Sequence, residues 1–316
     1  MPPLAPPPLV VVVGPTATGK SGLGVALAAA LRGDVVNADA MALYRGMDVG
    51  TAKPAPAERG GVRHHLLDVL DVTETTSVAA YQRAARAVVE RLRAAGRTPV
   101  LVGGSGLYVQ AVVDELDFPG TDPGLRAELE AALDAEGSAA LHARLAAVDP
   151  AAAAAVLPSN GRRVVRALEV VTLTGRPFPA RLATGGPPRY GAVLLGVDRP
   201  TAELDERVAR RVARMFAAGL VAETRALLDR GLRDGRTASR ALGYQQVAAV
   251  LDGVPPVPGD LATAAADTVR ATRRFVRRQR SWFRRDRRIR WLDPGPDLLD
   301  RALDAVAAEA PVPAAP

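Results

Sequence analysis

The stretch LVVVVGPTATGKS, residues 9–21, decides the fold of this 316-residue chain. Its first five residues form a short apolar, β-branched run, which is typical of a buried parallel strand. Residues 14–21 then fit the pattern G-x-x-x-x-G-K-[ST] of a phosphate-binding loop. A leucine at every fourth position predicts one face of a helix: Leu23, Leu27 and Leu31. The order of strand, glycine-rich loop and helix predicts an α/β fold of the P-loop type.

The loop predicts a site for a phosphate or a diphosphate together with Mg²⁺. Gly14 and Gly19 allow the backbone to pass close to an anion, and the first N–H groups of the helix point at it. Lys20 adds a positive charge, and the Ser21 hydroxyl can hold Mg²⁺. The predicted diphosphate-binding set also includes the residues between the two glycines: Pro15, Thr16, Ala17 and Thr18. A tight β–α turn with an incidental lysine is disfavoured by the full spacing and both flanks.

Two further strands are predicted before the middle of the chain. The apolar runs at residues 34–38 and 99–102 have strand character, and a helix capped by Ser77 separates them. This β-α-β-α-β order predicts a parallel sheet flanked by helices. We expect four segments along the chain: a disordered tail at 1–8, an α/β core at 9–120 and 191–292, an all-helical insertion at 121–190, and a C-terminal tail at 293–316.

Composition narrows the class of protein. With 41 lysines and arginines against 34 acidic residues, the formal charge is +7, which favours polyanionic partners or reflects a solvated basic surface. No run approaches the ~18 apolar residues of a membrane span, so we expect a cytoplasmic protein without a membrane partner. The absence of cysteine excludes thiolate metal sites. The adjacent His64 and His65 point in different directions without a third ligand nearby, so we expect no metal site there.

Candidate chemistry lies where the predicted strands end. Asp39 follows the second strand, on the sheet edge where open α/β sheets bind ligands, and its carboxylate could accept a proton or hold a metal. A turn-capping role is the alternative for this residue. The third strand is followed by Gly103 and not by the metal-binding acid usual in nucleoside-triphosphate hydrolases, which disfavours that class. Ser105 in the same loop offers a hydroxyl.

Three groups of basic residues are candidates for binding anions. Arg207 and Arg211 lie four residues apart on a predicted helix, where they could bind a diphosphate together. Residues 270–290 contain eleven arginines interleaved with aromatic residues, a pattern that suits an RNA backbone and splayed bases. Aromatic residues in the core beneath a solvated arginine face give the same pattern, and both can hold together. The third group follows the helix cap Asn160: Arg162, Arg163 and Arg166.

Together these motifs resemble those of the bacterial tRNA dimethylallyltransferases, an isopentenyltransferase family of the phosphate-loop superfamily. The resemblance covers residues 9–292, nearly the whole chain, and the joint order of the motifs is highly specific. The matching stretches are GPTATGKS (14–21), NADAMALYRGMDVGTAKP (37–54), GGSGLY (103–108), LPSNGRRVVRALEV (157–170), GLVAETRALL (219–228), TASRALGYQQ (237–246) and RRFVRRQRSWFRRD (273–286).

The resemblance implies an Mg²⁺-dependent transfer of a dimethylallyl group from its diphosphate to N6 of the adenosine beside the tRNA anticodon, in tRNAs that read codons beginning with U. It implies that Asp39 is the general base, that Lys20 and Ser105 take part in catalysis, and that Thr16 and Arg211 meet the diphosphate. It implies a monomer that binds dimethylallyl diphosphate and the anticodon stem-loop. The implied tRNA contacts are Asp39, Ala40, Met41, Ala42, Ser105, Arg126, Asn160, Arg162, Arg163, Arg166, Arg277, Arg280 and Arg284.

The chain departs from the family after the second strand. Asp-Ser-Met-Gln is usual there, and here the run is Asp39-Ala40-Met41-Ala42, which lacks a hydroxyl and an amide that could bond a flipped adenine. A small-molecule or nucleoside kinase is the alternative function, but it leaves the arginine-rich segment and the insertion without a role. A non-catalytic RNA-binding module leaves the phosphate loop without one.

Overall fold

The structure is a computed structural model, and it describes residues 6–179, 185–253 and 260–309. The expected N-terminal tail at residues 1–8 therefore lies largely outside the described residues. In its described part, the carbonyl of Pro7 accepts a hydrogen bond of 2.7 Å from Nε of Arg93. The end of this tail is thus attached to a helix of the core.

The chain forms two compact units, residues 1–114 with 185–316 and residues 115–184. The second unit is the expected insertion, but it begins and ends six residues earlier than the expected 121–190. The shift has a physical reason, because Tyr190 packs in the first unit. Its hydroxyl bonds the Glu90 carboxylate at 2.8 Å, and its carbonyl accepts the N–H of Leu9 at 3.4 Å.

A six-stranded parallel sheet forms the centre of the first unit, in the order β3-β2-β4-β1-β5-β6. Apolar β-branched residues explain why β1, β4 and β5 are buried along their whole length, with helices on both faces. The predicted fold class is therefore confirmed. The strands are β1 Val10–Val13, β2 Asp34–Asn37, β3 His64–His65, β4 Pro99–Gly103, β5 Val193–Val197 and β6 Arg290–Leu292.

In the part of the chain that the structure describes, twelve α-helices flank this sheet or build the insertion. Among the described residues, no helix is long and apolar enough to cross a membrane. The helices are α1 Lys20–Ala30, α2 Val78–Ala94, α3 Gly106–Val113, α4 Pro123–Glu136, α5 Ser138–Val148, α6 Pro150–Ala155, α7 Gly161–Thr174, α8 Thr201–Ala217, α9 Leu220–Asp229, α10 Tyr244–Leu251, α11 Leu261–Phe283 and α12 Leu298–Glu309.

The expectation of a C-terminal tail at residues 293–316 is wrong for its central part. Helix α12 packs on the same face of the sheet as α1, and its residues Ala302, Ala305 and Val306 are buried. These positions recur at helical spacing, but small alanines bury little apolar area each, so the signal in the sequence is weak. Residues 310–316 lie outside the described residues.

The second unit has its own apolar core, and its described residues contain no strand, as predicted. The core is lined by helical residues spaced three or four apart, among them Leu129, Leu141, Leu145, Val164 and Leu168. The predicted cap of α7 is present, because the side-chain oxygen of Asn160 accepts the N–H of Arg163 at 3.3 Å.

Arg288 connects the two points where the chain leaves and re-enters the first unit. Its guanidinium contacts the carboxylate of Asp114 at 2.5 Å and the carbonyl of Gly186 at 3.1 Å, and Asp286 bonds the same group at 2.7 Å. Arg288 was expected in an RNA-binding segment, but its side chain is only 15% exposed. It serves the fold instead.

Candidate active site

The phosphate loop follows β1 and ends in the first turn of α1. Gly14 has a φ of 149°, and a Cβ there would overlap the carbonyl of Val197 on the adjacent strand, so the position requires glycine. Ala17 and Gly19 have φ values of 71° and 100°, in the left-handed region. Left-handed residues within a turn can direct successive backbone N–H groups to one side, which forms an anion-binding concavity. The loop therefore contains left-handed residues of the kind that such a concavity uses.

A cavity of about 810 Å³ opens between this loop and helix α8. Five of its lining side chains are basic and one, Glu58, is acidic, so it suits an anion. Arg207 and Arg211 both line it, as the spacing on one helix face predicted. The basic lining residues are Lys20, Arg207, Arg210, Arg211 and Arg214.

In the structure, two of these arginines also hold backbone carbonyls at the walls of the cavity. Nε of Arg207 donates to the carbonyl of Ala17 at 2.7 Å, and Nη2 of Arg211 donates to the carbonyl of Thr51 at 2.9 Å. Each guanidinium has five N–H donors, so these contacts leave donors for a ligand. Arg211 thus spans from α8 to the loop at residue 51.

Lys20 contributes a positively charged ammonium group to the lining of this cavity. Burial lowers its pKa from 10.5 to about 8, an effect that Asp39 partly offsets and Arg211 increases. The Lys20 ammonium donates to the carbonyl of Pro15 at 3.2 Å. A diphosphate beside Lys20 would favour its charged form again. Asp39, Lys20 and Arg211 are therefore close enough to interact electrostatically.

Asp39 follows β2 at the carboxyl edge of the sheet, where the sequence predicted it. Its Oδ1 accepts the N–H of Met41 at 2.9 Å, which is the turn-capping contact considered as the alternative. Asn37 fixes the same turn, since its amide donates to the carbonyl of Asp39 at 2.9 Å. The turn orients the carboxylate, and an oriented carboxylate remains available as a base.

Ser105 reaches the segment that follows Asp39. Its hydroxyl accepts the N–H of Ala40 at 3.2 Å, and its own N–H donates to the carbonyl of Ala38 at 3.3 Å. Met41 is half-buried in this segment, whereas Ala42 is only 6% exposed. The structure therefore brings Ser105 and Asp39 together but leaves Ala42 little surface for a contact with RNA.

The expected tRNA-binding residues of the insertion differ in their surroundings. Arg126 and Arg166 both pair with the fully buried carboxylate of Glu169, and Arg166 also donates to the carbonyl of Pro119 at 2.7 Å. They stabilise the insertion, because an unpaired buried carboxylate would be costly. Asn160 and Arg162 are exposed, and Arg163 lies over the ring of Phe178, 5.7 Å from its centroid.

The arginine-rich segment also divides into inward and outward side chains. Arg280 is 16% exposed and pairs with Asp198 at 2.9 Å, and its remaining donors reach Thr201 and the carbonyl of Arg199. Arg277 and Arg284 have side chains that are 59% and 61% exposed. Phe283 is a core residue, so it is not available for stacking on a base. The sequence of α11 therefore combines exposed arginines with an aromatic residue that is buried in the core.

Two functional contacts were missed by the sequence analysis. The side chain of Gln279 bonds the phosphate loop, and Nε of Arg199 donates to the carbonyl of Thr18 at 3.0 Å. Arg199 lies two residues before the first residue of α8, outside the helical periodicity of Arg207, so no pattern in the sequence indicated the second contact. Nothing in the sequence identifies the partner of Gln279, because its contacts span more than 170 residues.

We expect the double variant Arg277→Ala, Arg284→Ala to bind tRNA less tightly and with a weaker dependence on salt. Each lost phosphate contact should lower the log–log salt slope by about 0.7, so the pair should lower it by roughly 1.4. Filter binding over a range of KCl concentrations measures this slope. Arg225→Ala on α9 is a control for the loss of charge elsewhere. An unchanged slope would show that the α11 surface is merely solvated.

The comparisons with known proteins agree with this geometry. A family model described as IPP transferase matches residues 42–286. A tRNA dimethylallyltransferase of Saccharopolyspora erythraea is 67% identical over 287 residues, which cover 91% of each chain. One of Nocardia farcinica is 61% identical over 306 residues, which cover 95% of this chain and 96% of the relative.

Solved structures show the same architecture. A tRNA isopentenylpyrophosphate transferase from Bacillus halodurans superposes with a TM-score of 0.70 at 39% identity, covering 96% of this chain and 98% of that one. A eukaryotic dimethylallyltransferase acting on tRNA gives a TM-score of 0.80 at 22% identity and covers 96% and 80% of the two chains, which shows the fold alone.

Proposed function

Because this chain belongs to the IPP transferase family, as its motifs predicted, we propose that it transfers a dimethylallyl group from dimethylallyl diphosphate to N6 of the adenosine beside the tRNA anticodon. The observation that supports this most is the basic cavity at the phosphate loop, which lies within electrostatic range of Asp39. The expected RNA partner is the anticodon stem-loop of tRNAs that read codons beginning with U. We propose a cytoplasmic monomer.

The cavity suits a leaving group better than a transferred phosphoryl group. When the C–O bond of the donor breaks, negative charge develops on the diphosphate and positive charge on the allylic carbon. The loop N–H groups, Lys20 and Arg211 are fixed around the position of that developing anion before reaction starts, which is how preorganised donors lower a barrier.

On the acceptor side, the new bond forms between N6 and the allylic carbon while N6 loses a proton. Asp39 is the group we propose to accept that proton, because its carboxylate is held at the sheet edge by the Met41 N–H. Ser105 would position the adenine or the donor from the neighbouring loop. Ala40 and Ala42 supply no side-chain hydrogen bond to the base, so recognition of its edge rests on other groups.

The donor set fits Mg²⁺ held mainly by the diphosphate. Among the described residues no cluster of three or more His, Asp or Glu side chains forms a metal cage. Ser21 lines the cavity, and Mg²⁺ commonly takes one or two protein oxygens together with phosphate oxygens and water. The Ser21 hydroxyl would hold the ion there, and the ion would supply charge stabilisation of the leaving diphosphate.

The kinase alternative is not favoured by the structure or by the family. Asp198 is an acid at the end of β5, beside β1, where a kinase could place a metal-binding carboxylate. Its charge is already paired with Arg280 at 2.9 Å and with Arg284 at 3.1 Å. No acid follows β4, which ends at Gly103.

One experiment separates the two functions. The purified protein is incubated with Mg²⁺, an anticodon stem-loop RNA and dimethylallyl diphosphate labelled in the prenyl group, with ATP present or absent. Label should enter the RNA without ATP, and an RNA with guanosine at the target position should stay unlabelled. ATP-dependent phosphorylation of a nucleoside, with no label in RNA, would establish the kinase instead.

We expect the target adenine to leave the stack of the anticodon loop when the RNA binds. N6 of a stacked base cannot reach the cavity, so extrusion should occur at a cost of a few kcal/mol. A fluorescent adenine analogue at the target position should brighten on binding. The same analogue at another loop position should change little, and a dark complex with the analogue at the target position would contradict extrusion.

A further inference from the structure

We propose that Gln279 is a positioning residue that holds the phosphate loop in the shape that receives the diphosphate. It lies on α11, more than 260 residues from that loop in sequence. The inference rests on the proposed function where it is tested by the rate of prenyl transfer. It is also tested by the affinity for inorganic diphosphate, which does not depend on prenyl transfer.

The side-chain amide of Gln279 bridges two loops. Its Oε1 accepts the N–H of Thr16 at 2.9 Å and the Thr16 hydroxyl at 3.2 Å, while its Nε2 donates to the carbonyl of Gly104 at 2.9 Å. The side chain is only 6% exposed. Two donors at one end and an acceptor at the other fix the orientation of the amide.

The loop after β4 is shaped to admit this amide. A Cβ on Gly104 would overlap Nε2 of Gln279, so glycine at that position leaves the space that the amide occupies. A Cβ on the preceding Gly103 would overlap the carbonyl of Ala38, which directly precedes Asp39. One side chain therefore links the phosphate loop to the loop that carries Ser105, and that loop touches the turn that carries Asp39.

Two arginines hold the opposite side of the phosphate loop. Arg207 and Arg199 bind the carbonyls of Ala17 and Thr18 at 2.7 and 3.0 Å, and Glu203 contacts both guanidinium groups. These hydrogen bonds fix the peptide groups of Ala17 and Thr18. Gln279 completes the arrangement at Thr16, where it accepts the N–H and the hydroxyl.

The arrangement changes the role expected for Thr16. The family resemblance assigns Thr16 to the diphosphate, but both of its donors bond Gln279 in the structure. We therefore expect Thr16 to act through Gln279, as the point where α11 holds the loop. The diphosphate would be bound by the N–H groups that follow and by the basic side chains of the cavity.

The test replaces the amide without changing its length, with Gln279→Met. The kcat/KM for dimethylallyl diphosphate should fall roughly ten- to a hundredfold and the Kd of inorganic diphosphate should rise about tenfold, while the Kd of tRNA measured without donor stays within about twofold. Isothermal titration calorimetry measures both Kd values on the full chain.

Gln82→Met is the matched control. Gln82 on α2 also donates its amide to a backbone carbonyl, that of Ala111 at 2.9 Å, but this carbonyl belongs to α3 and not to the phosphate loop. This variant should alter diphosphate binding by no more than about twofold. Equal losses in both variants would show that Gln279 acts only through general stability and would overturn the proposal.

A double-mutant cycle with Thr16→Val adds a second, independent readout. Valine keeps the N–H and removes the hydroxyl, so this variant alone should weaken diphosphate binding less than Gln279→Met does. If the two residues act through each other, the double variant should be no weaker than Gln279→Met. The proposal would be overturned if the losses of diphosphate affinity in the two single variants added up in the double variant. It would also be overturned if Thr16→Val and a folded Gln279→Met both bound diphosphate normally. If Gln279→Met fails to fold, the Thr16→Val measurement decides.

The design also separates this inference from the proposed function. Loss of diphosphate affinity in Gln279→Met, in a protein that fails to prenylate RNA even as wild type, would support the positioning role and contradict prenyl transfer. Normal diphosphate affinity together with active wild-type transfer would do the reverse. A weaker Kd for tRNA with unchanged diphosphate affinity would make Gln279 an RNA contact and overturn the positioning role.

Discussion

Asp39→Asn is expected to lower the turnover number by ~10²–10⁴-fold, the range typical of general-base assistance. The substitution removes the basic carboxylate but keeps an oxygen that can accept the Met41 N–H, which Oδ1 of Asp39 now accepts at 2.9 Å. The turn should therefore retain its geometry. A loss of rate then reports on proton transfer and not on a displaced loop.

Single-turnover kinetics with saturating RNA measures this effect on the chemical step. The Kd of tRNA should stay close to the wild-type value. Asp48→Asn is the control, because Asp48 is an exposed carboxylate whose partner Lys53 retains Asp68. Near-normal turnover in Asp39→Asn would show that another group takes the N6 proton.

Lys20→Ala is expected to slow prenyl transfer by roughly 10²-fold or more, the scale observed when one preorganised donor to a developing anion is removed. Burial in the cavity lowers the pKa of Lys20 to about 8, so its charged ammonium is stabilised less there than in bulk water and gains from an anion beside it. A diphosphate that gains charge in the transition state is the partner that this arrangement favours.

Arg210→Ala is the control that distinguishes an effect of the position of Lys20 on the rate from an effect of the total charge of the cavity. Arg210 lines the same cavity, but its side chain is 64% exposed and pairs with Glu206 at 3.6 Å. Surface charges of this kind are screened by solvent and salt, so its loss should change the rate much less. Equal effects of the two substitutions would mean that only the net charge matters. Inorganic diphosphate should compete with the donor in the wild type.

The parts of the fold that were predictable are those encoded by local patterns. The β-branched run before Gly14 and the glycine spacing to Lys20 specify strand, loop and helix within 25 residues. Asp39 could be placed because carboxyl ends of parallel strands meet at one sheet edge. Strand β3 was missed, because two histidines form too short a run to show alternation, and its place depends on the contact of His65 with Asp34 at 2.8 Å.

Side-chain contacts between distant elements were not predictable in the same way. Arg277, Arg280 and Arg284 are alike in the sequence, and both Arg280 and Arg284 pair with Asp198 at the end of β5, yet Arg280 is largely buried while Arg277 and Arg284 stay exposed. Glu169 pairs in the same way with Arg126 and Arg166 in the insertion. Which arginine is buried depends on contacts with residues far away in the chain, such as those of Arg280 with Thr201 and the carbonyl of Arg199, and no periodicity reveals them.

The position of Arg288 bears on the order in which the chain folds. Strands β4 and β5 both pair with β1, although residues 115–184 separate them in the chain. While that segment is a random coil, adding β5 to the sheet closes a loop at an entropic cost of about 4 kcal/mol. In the folded chain Asp114 and Gly186 bind the same Arg288 guanidinium, so the two ends of that segment lie close together. We therefore expect an insertion that folds first to bring β5 near the sheet and to reduce this entropic cost.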